Sequence, residues 1–497
     1  MTGMPAGTIP GEMMNHQEVP ERRASLVRST FYSGLTTSAG LLLFVLMILA
    51  GRSLGSHDFG IFSFALSLAS IFAIITDFGL DDLVVREVAR DRRLAGEYFG
   101  KIFVWKLILS VVALTALVIT VNVLKSSPII RMVTYLLGSM AIFRSFITTV
   151  RAFFRAFERF DMEARLVIID RVLLFACGAA FLLTGSGVLV LAIVFSAVRL
   201  VSILVALMLF HRRVDRIVPR FDARFIRTFQ IQALPFGLAF LCFGLYTYID
   251  KIVLSLARSE SEVGLYNAGF QLYEGLMIIP IILAAVFYPR LSTLFLGDRE
   301  RHRDLFLRGV KYLMMIAFPL AVGGLFLADD LLLLLFGAEF LPAAPALSIL
   351  LCATVLAFQN VLLHTFLNSM DRQRTMLLTT LMGFAMAVLL DVLLIPRHGI
   401  IGAAVATLGY VATIFAAGGW FIRRSIDGSA LAMAMVKVGA AGLLMGLLLW
   451  RLESVPVILA AAAAAAIYVG ALLFLRVPDR TELDILRQQL RRVFPRS

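Results

Sequence analysis

The stretch GRSLGSHDFGIFSF, residues 51–64, separates two long apolar segments by a few polar residues and glycines. A similar stretch, LARSESEVGLYNAGF, occupies residues 256–270, so that Gly60 and Gly264 lie 204 positions apart. In both copies an acidic residue precedes this glycine by two positions, and an aliphatic and an aromatic residue follow it. The recurrence predicts that one structural unit occurs twice in the chain.

The composition around these stretches is that of an α-helical membrane protein. Hydrophobic residues make up 60% of the 497 residues and charged residues only 16%, against about 25% in soluble proteins. Apolar runs of about 20 residues, enough for a helix to cross about 30 Å of hydrocarbon, recur along the whole chain. Membrane β-barrels need alternating segments of about ten residues, so the pattern excludes that class.

We predict an all-α polytopic fold with fourteen transmembrane helices. The predicted spans are 29–51, 59–80, 99–123, 128–150, 166–184, 187–210, 229–257, 264–289, 310–328, 346–368, 376–395, 400–421, 433–450 and 456–475. The fifth and sixth spans are separated only by the short sequence Thr184-Gly185-Ser186. Every gap between spans is short, and none can hold a separate catalytic domain.

The basic residues predict the orientation of these spans. With a cytoplasmic N-terminus, the segments on the inner side hold 32 of the 46 Lys and Arg residues, and the outer gaps hold five. Loops facing the cytoplasm are enriched in Lys and Arg. We therefore expect both termini in the cytoplasm, and topology explains the net charge of +13 without a nucleic-acid partner.

The repeat predicts how the spans are grouped. Six spans lie between the two copies, so both copies cross the membrane in the same direction, as in transporters built from parallel repeats. We expect two six-helix bundles with a cavity between them. The predicted divisions are a cytoplasmic tail (1–28), an N-terminal bundle (29–225), a C-terminal bundle (226–425), two additional helices (426–475) and a cytoplasmic amphipathic tail (476–497).

A polar helix face follows each repeated glycine at the spacing i, i+4, i+7. Its residues are Ser63, Ser67 and Ser70 in the first copy and Asn267, Gln271 and Glu274 in the second. A polar stripe on a membrane helix must face protein or water, because lipid cannot form hydrogen bonds with it. We expect both stripes to face a shared cavity; for the serines alone, packing between neighbouring helices is an equal alternative.

Charged residues inside the spans are functional candidates, because a charge near mid-bilayer costs about 2.5–3.5 kcal/mol on insertion scales. Asp250 and Glu274 are acids that could bind a coupling H⁺ or Na⁺. Asp77, near the inner end of the second span, could do the same or only cap its helix. Lys251 could contact a substrate or extend towards the membrane surface.

Arginines are the second group of candidates. Arg144, Arg151 and Arg155 follow one helix face from the fourth span into the next loop, and Arg199 lies in the sixth span. A guanidinium group binds two phosphate oxygens at once, so this face is suited to a phosphate group; binding of anionic lipids at the inner leaflet is the alternative. In the tenth span, Asn360, His364 and Asn368 form a polar face suited to proton transfer or to packing.

The sequence contains none of the common enzyme motifs, such as a P-loop, HExxH, GxSxG or a pair of CxxC motifs. The three cysteines lie singly in apolar runs, a pattern that predicts neither a disulfide nor a metal site. We therefore predict a protein that is not an enzyme and that binds no cofactor or metal.

Several motifs resemble a known family. The stretch GRSLGSHDFGIFSFALSLASIFAIITDFGLDDLVVREVARD resembles the opening of bacterial polysaccharide-export flippases, relatives of the O-antigen flippase in the multidrug/oligosaccharidyl-lipid/polysaccharide superfamily. The motifs YIDKIVLS, EVGLYNAG, FYPRLS and DVLLIPRHGIIGAAVAT are also similar to that family. The resemblance covers about residues 25–425.

This resemblance implies two six-helix bundles around a V-shaped cavity that opens alternately to either side of the membrane. It implies a flippase that moves undecaprenyl-diphosphate-linked oligosaccharide from the inner to the outer leaflet of the bacterial cytoplasmic membrane, for the biosynthesis of surface polysaccharides such as lipopolysaccharide or exopolysaccharide. Membrane lipids, a polysaccharide polymerase and a coupling ion, H⁺ or Na⁺, are the further partners that it implies.

The positions that match the family's motifs are Asp250, Lys251, Gly264, Tyr266, Pro289 and Arg290. Related flippases line the cavity with arginines, for which Arg144 and Arg199 are the candidates. Together with the polar face, these positions predict substrate contacts at Arg144, Arg199, Lys251, Asn267, Gln271 and Arg290 and ion coupling at Asp250, Glu274 and Asp77. The first span, STFYSGLTTSAG, has no charged pair, unlike the peptidoglycan-precursor flippases.

Two alternatives stay open at this point. A multidrug antiporter of the same fold would favour an acidic cavity, whereas the charged positions inside these spans are mostly basic. A membrane-embedded glycan polymerase or ligase would need a large outer loop with catalytic Arg or His. The longest outer gap, residues 329–345, has neither.

Overall fold

The computed structural model describes residues 18–214, 218–423, 428–452 and 455–477. In these residues the chain forms helices and no strand. The α-helices are α1 (Glu18–Asp77), α2 (Leu80–Arg90), α3 (Ala95–Leu124), α4 (Pro128–Ala156), α5 (Phe160–Leu183), α6 (Val188–Arg213), α7 (Ala223–Ala257), α8 (Glu260–Leu276), α9 (Ile278–Gly297), α10 (Arg299–Phe326), α11 (Ala328–Leu335), α12 (Ala344–Ser369), α13 (Gln373–Ile422), α14 (Gly428–Arg451) and α15 (Val457–Phe474). Two short 3₁₀ helices, Arg92–Leu94 and Ala338–Ala343, precede α3 and α12. The amphipathic helix predicted for 476–497 lies almost wholly outside the described residues, as does much of the predicted N-terminal tail.

Ten helical segments in the described ranges are long and apolar enough to cross a membrane. Two of these segments, in α1 and α13, each contain two predicted spans, separated by a kink at Gly55 (φ 76°) and Gly399 (φ 54°). Counting both parts of each, and adding α7 and α14, gives the fourteen predicted spans. The prediction of an all-α polytopic membrane protein is confirmed.

Four of the predicted gaps and spans need correction. The gaps at 52–58 and 396–399 are kinks inside α1 and α13, because a glycine with positive φ redirects the helix at one residue without a loop. The predicted span 264–289 is divided at Met277 into α8 and α9. The predicted outer gap 329–345 is itself largely helical.

Side-chain caps fix where several helices begin. Asp222, Ser259 and Asp298 immediately precede α7, α8 and α10, and each side chain accepts a hydrogen bond from the backbone N–H three residues later. Such a cap pairs a backbone donor that has no partner within the helix. These polar residues therefore end the connections and set the start of three spans.

The two repeated glycines lie directly against each other. A Cβ atom added to Gly60 would lie 1.7 Å from the Glu260 carbonyl oxygen, and one added to Gly264 would lie 1.9 Å from the Ser56 carbonyl oxygen. The backbones of α1 and α8 therefore touch without a side chain between them. The repeat found in the sequence marks the contact between the two predicted halves.

Polar contacts surround this glycine pair at the end of the bundle that carries Gly55 and the α7–α8 turn, which we call the hinge end. The Lys125 ammonium lies 2.6 Å from the Glu260 carboxylate. The Ser56 backbone N–H and hydroxyl donate to the Glu339 carboxylate at 2.8 and 2.6 Å. These contacts join the predicted N-terminal half to the C-terminal half and close the hinge end.

A second set of contacts lies at the opposite end, which carries α2 and the α9–α10 turn and which we call the loop end. Here the start of α7 packs on α3, where Lys101 Nζ lies 2.8 Å from the Asp222 carboxylate. The Trp105 indole N–H donates to the Gln230 side-chain oxygen at 2.9 Å. The first turns of α7 are therefore anchored to the N-terminal half.

The last two helices form an addition to this arrangement. Gly442 and Gly446 of α14 face Val322 and Phe326 of α10, and the Tyr468 hydroxyl of α15 donates to the Met315 carbonyl oxygen of α10 at 3.0 Å. Together with α9, α10 and α12 these helices form a hydrophobic core of their own.

The contact between the glycines can be tested with Gly264→Ala. The added methyl group would overlap the Ser56 carbonyl oxygen, and overpacking of this kind costs about 1–3 kcal/mol. We expect a lower melting temperature of the purified protein in detergent. Gly470→Ala is the matched control, because nothing lies within 4 Å of its added Cβ. Equal melting temperatures for the two variants would contradict the direct contact.

Candidate functional site

Five arginines come together on α4, α5 and α6, and we call them the arginine cluster. They are Arg144, Arg151, Arg155, Arg171 and Arg199. Two carboxylates pair with them: Asp170 with Arg199, and Glu163 with Arg151 and Arg155 at 3.0 and 3.2 Å. Three more guanidinium groups than carboxylates therefore lie in this part of the bundle, within helices long and apolar enough to span the membrane.

The charges of the cluster act on one another. Arg144 and Arg151 lie close enough to Arg171 and Arg199 to repel both electrostatically. Arg199 is only 5% exposed. Arg171 keeps a buried Nη1 without a hydrogen-bond partner. This arrangement leaves an excess of positive charge and a buried hydrogen-bond donor without a partner.

Arg144 and Arg171 are the members of the cluster that form no ion pair within the described part of the chain. Arg144 is half-buried in α4 and has no hydrogen bond there either. Arg199, by contrast, is fixed by Asp170. The two arginines predicted to contact substrate therefore differ in their contacts: Arg199 is paired with a carboxylate, and Arg144 is not.

The predicted coupling residue Asp77 lies in a different polar group at the end of α1. It pairs at 2.8 Å with Lys106, whose side chain is fully buried. Lys106 also donates to the Thr149 hydroxyl at 2.6 Å and lies 3.6 Å from the Asp81 carboxylate. The sequence left two roles open for Asp77, ion coupling and helix capping. The ion pair with Lys106 adds a third, which is to hold α1 against α3.

The pair predicted from YIDKIVLS is buried between α7, α8 and α13. Asp250 and Lys251 are each 4% exposed, and Lys251 donates to the Thr247 carbonyl oxygen at 3.0 Å. Lys251 therefore does not extend to the membrane surface. Asp391 of α13, 2% exposed, interacts with both charges. This acidic centre, Asp250, Lys251 and Asp391, contains two carboxylates and one ammonium group.

When both carboxylates are ionised, the acidic centre carries one negative charge in excess. One Asp391 carboxylate oxygen is buried without a hydrogen-bond partner, and an unneutralised buried carboxylate is strongly unfavourable. The Tyr266 hydroxyl lies 3.1 Å from the Thr407 hydroxyl in the same region. A proton or a small monovalent cation would neutralise the second carboxylate.

A large cavity of about 1230 Å³ adjoins the acidic centre in the predicted C-terminal half. It is bordered by α1, α7, α8, α9, α12 and α13. Most of its wall is apolar, and its polar lining includes Gln271, Glu274, Asn360, His364, Asn368 and Arg374. Mostly apolar walls with a few placed polar groups are typical of small-molecule sites.

The polar faces predicted from the sequence meet only partly at this cavity. Gln271 and Glu274 line it, as do Asn360, His364 and Asn368. Asn267 does not line it and is 9% exposed in the protein interior. The serines of the first copy are buried at 2–3% exposure, and the expectation that they face this cavity is wrong, because their helix face packs against protein.

Arg290 lies apart from these groups. It is an exposed residue of α9, directly after Pro289, and it does not line the cavity. Its selection depended only on a family motif. The structure therefore places the substrate positions suggested by sequence in four regions. They are the arginine cluster, the C-terminal cavity with the acidic centre, the packed interior at Asn267, and the exposed surface of α9.

Lys106 and Asp391 are charged residues that sequence analysis missed. Both lie in predicted spans and are fully or almost fully buried, so the intramembrane-charge criterion that identified Glu274 could also have found them. Tyr246, Tyr273 and Tyr410, which line the cavity, lie among many other aromatic residues. No pattern in the sequence distinguishes them.

Comparison with known proteins relates the chain to proteins of polysaccharide and glycan biosynthesis. The family model described as "Polysaccharide biosynthesis protein" matches residues 26–295. The chain is 23% identical over 365 residues to a Haloferax volcanii protein named "Probable low-salt glycan biosynthesis flippase", a match that covers 72% of this chain and 74% of that protein.

Solved transporter structures share the fold. An inward-facing multidrug-resistance MATE transporter of the MOP superfamily matches with a TM-score of 0.64 at 17% identity, over 81% of this chain and 99% of the transporter. The lipid II flippase MurJ, in an inward closed conformation, also matches with a TM-score of 0.64, at 12% identity, over 89% of this chain and all of that one. At these identities the likeness shows the fold alone.

The buried pair in the arginine cluster can be tested with Asp170→Asn. This change leaves Arg199 buried near other guanidinium groups, and breaking a buried pair costs about 3–5 kcal/mol in soluble proteins. We expect a clearly lower melting temperature in detergent. The double variant Asp170→Asn/Arg199→Gln should recover part of the loss, because no unpaired charge remains.

Asp161→Asn on the same helix is the matched control. Its partner, Arg159, is 42% exposed, and such pairs contribute about 0–1 kcal/mol. If Asp170→Asn melts at the same temperature as Asp161→Asn, the buried pair does not stabilise the fold.

Proposed function

Because the chain belongs to the polysaccharide biosynthesis protein family, we propose that it is a flippase for undecaprenyl-diphosphate-linked oligosaccharide. It would move this glycolipid from the inner to the outer leaflet of the bacterial cytoplasmic membrane, in the synthesis of cell-surface polysaccharide. The chain is a multi-pass membrane protein and not an enzyme. The substrate, the direction and the membrane are the parts that we propose.

The arginine cluster is the observation that carries this proposal. A diphosphate linked to a sugar bears about two negative charges, and the cluster has three guanidinium groups more than carboxylates. Charge-assisted hydrogen bonds from arginine can replace the water that a diphosphate loses on entering the protein. Arg144, which has no ion-pair partner in the described part of the chain, is the best-placed group to bind it.

The physical problem is to carry a polar head across hydrocarbon while the lipid tail stays in the membrane. Removing water from an unpaired charge is very costly. A polar site inside the bundle avoids that cost, provided that it opens first to one side and then to the other. The contacts of Lys125 with Glu260 and of Ser56 with Glu339 close the hinge end, so they would have to separate when the site opens there.

The excess of Lys and Arg at the loop end supports a cytoplasmic location for that end and for both termini. In this orientation the hinge end faces outwards, and substrate enters from the inner leaflet. Membrane lipids surround the bundle, and a polysaccharide polymerase is the partner expected to use the translocated substrate.

The acidic centre supports ion coupling. Two carboxylates share one ammonium group there, so binding of H⁺ or Na⁺ would remove a buried charge. A change in that charge can stabilise one conformation over another, because α7 and α13 both contribute to the site. Glu274, on the wall of the adjoining cavity, and Asp77 are the other two acids for which coupling is proposed.

The role of Arg144 can be tested with Arg144→Ala in proteoliposomes that contain undecaprenyl-diphosphate-linked glycan. We expect translocation, measured by access of an external glycan-modifying enzyme, to fall to the level of empty liposomes while expression and melting temperature are unchanged. Arg212→Ala, an exposed arginine at the loop end of α6, is the control. Normal translocation by Arg144→Ala would instead assign this arginine to lipid contact.

In cells, deletion of the gene should lead to accumulation of the lipid-linked glycan on the cytoplasmic leaflet. Changed drug sensitivity without such accumulation would favour the antiporter alternative.

Ion coupling can be tested in the same liposomes with imposed H⁺ or Na⁺ gradients. Asp250→Asn and Asp391→Asn should remove the acceleration caused by the effective gradient, because the second carboxylate no longer has to be neutralised. Asp371→Asn, at an exposed turn of the loop end, should keep it. If transport in wild-type liposomes is the same with both gradients collapsed, coupling must be abandoned.

A further inference from the structure

The cavity in the predicted C-terminal half has features that binding of a diphosphate does not use. Among the polar residues on its wall are a carboxylate, Glu274, and two amides, Gln271 and Asn360. Glu274 would repel a diphosphate at this depth, and Arg374, which also lines the wall, lies in the first turn of α13 at the loop end. This part of the molecule therefore fits another portion of the substrate, or another substrate.

Several polar groups of this wall have no partner in the described part of the chain. Glu274 is exposed to the cavity, and neither it nor Gln271 forms a hydrogen bond or an ion pair there. Asn360, 6% exposed, donates to the Val411 carbonyl oxygen at 2.8 Å, but its side-chain oxygen is buried without a partner. The His364 Nε2 atom is also buried without a partner. A ligand in the cavity can reach Gln271 and Glu274, whose side chains are accessible, and its hydrogen bonds would stabilise them.

Aromatic rings border the same space. Tyr246 and Tyr410 stack with their ring centroids 3.4 Å apart, and Tyr273 and Phe270 also line the wall. Aromatic faces offer flat, weakly negative surfaces, on which the C–H face of a sugar ring can pack. Amide and carboxylate oxygens beside such rings can accept hydrogen bonds from the sugar hydroxyls.

Arg144 of the arginine cluster and Glu274 of the cavity wall lie at similar depths. Arg144 lies 16 residues from the hinge-end start of α4, and Glu274 lies 14 residues from the hinge-end start of α8. At about 1.5 Å per residue, these positions are about 24 and 21 Å from the hinge end. A diphosphate bound at the cluster would place the attached sugar at the level of Glu274.

We propose that the C-terminal cavity is the glycan subsite of the transporter, and that it selects glycans whose first sugar is uncharged. The aromatic wall takes the ring face, and Gln271 and Glu274, whose side chains are accessible, accept hydrogen bonds from hydroxyl groups. Glu274 repels a sugar that carries a carboxylate, such as a uronic acid. This inference rests on the proposed function, since it assumes a sugar linked to a diphosphate.

The test measures binding to the full chain in lipid nanodiscs by native mass spectrometry. The three probes are derivatives of farnesyl diphosphate. Its terminal phosphate carries a methyl group in the first, glucose in the second and glucuronic acid with a free carboxylate in the third, each sugar being joined through its anomeric carbon. The methyl ester keeps the charge of the diphosphate equal to that of the glucose probe. We expect wild-type protein to bind the glucose probe about tenfold more tightly than the methyl ester, because unpaired polar groups gain partners. The glucuronate probe should bind no more tightly than the methyl ester.

Glu274→Gln removes the charge and keeps the shape of the side chain. It should raise the affinity for the glucuronate probe by about tenfold, since the repulsion is lost, and leave binding of the methyl ester unchanged. A variant with a damaged fold would not gain affinity for one probe. Glu300→Gln, the same change at an exposed position of α10, should match the wild type with all three probes.

The outcomes separate the subsite from the function on which it depends. If wild-type protein binds the methyl ester and the glucose probe equally, or Glu274→Gln shifts all three probes alike, the cavity holds the lipid tail or serves packing, and the glycan subsite is wrong. If wild-type protein binds none of the three diphosphates, the proposed function itself fails.

Discussion

The backbone contact between α1 and α8 is the constraint on which the other interactions depend. Because Gly60 and Gly264 leave no side chain between these helices, Ser56 and Glu260 come close enough to take part in contacts with Glu339 and Lys125. A larger residue at either glycine would separate all of these pairs together. The closed hinge end is therefore a cooperative unit in which close packing brings the polar groups within hydrogen-bonding distance.

Between this contact and the loop end, each predicted half contains a buried group of charges, and the two groups have opposite sign. The arginine cluster has an excess of guanidinium groups, and the acidic centre has an excess of carboxylate. Each imbalance is costly in a membrane, and each can be relieved by a different ion. An anionic substrate relieves the first and a cation the second, so binding of both would leave the bundle closer to neutral than binding of either alone.

Sequence reasoning predicted the fold more completely than the site. Apolar runs and loop charges located fourteen spans, because membrane thickness and backbone hydrogen bonding leave few alternatives. The intramembrane-charge criterion found Arg199 and Asp250 but not their surroundings. Arg199 of α6 pairs with Asp170 of α5. Asp391 of α13 lies near Asp250 of α7, although the two are far apart in the sequence. Such pairs depend on how each helix is turned about its own axis relative to its neighbours, which the sequence does not specify.

The difference between the two copies of the repeat has a physical origin in where each helix face lies. The serines after Gly60 are buried against protein, where small side chains are needed and Ser63 can satisfy its hydroxyl on the Phe59 carbonyl oxygen. The matching face after Gly264 begins in the same packed contact at Asn267 but continues into the cavity at Gln271 and Glu274. Larger polar groups are accommodated only where that face leaves the contact between helices. The repeat therefore preserves the packing that joins the halves, and the divergence between its copies begins where one of them borders open space.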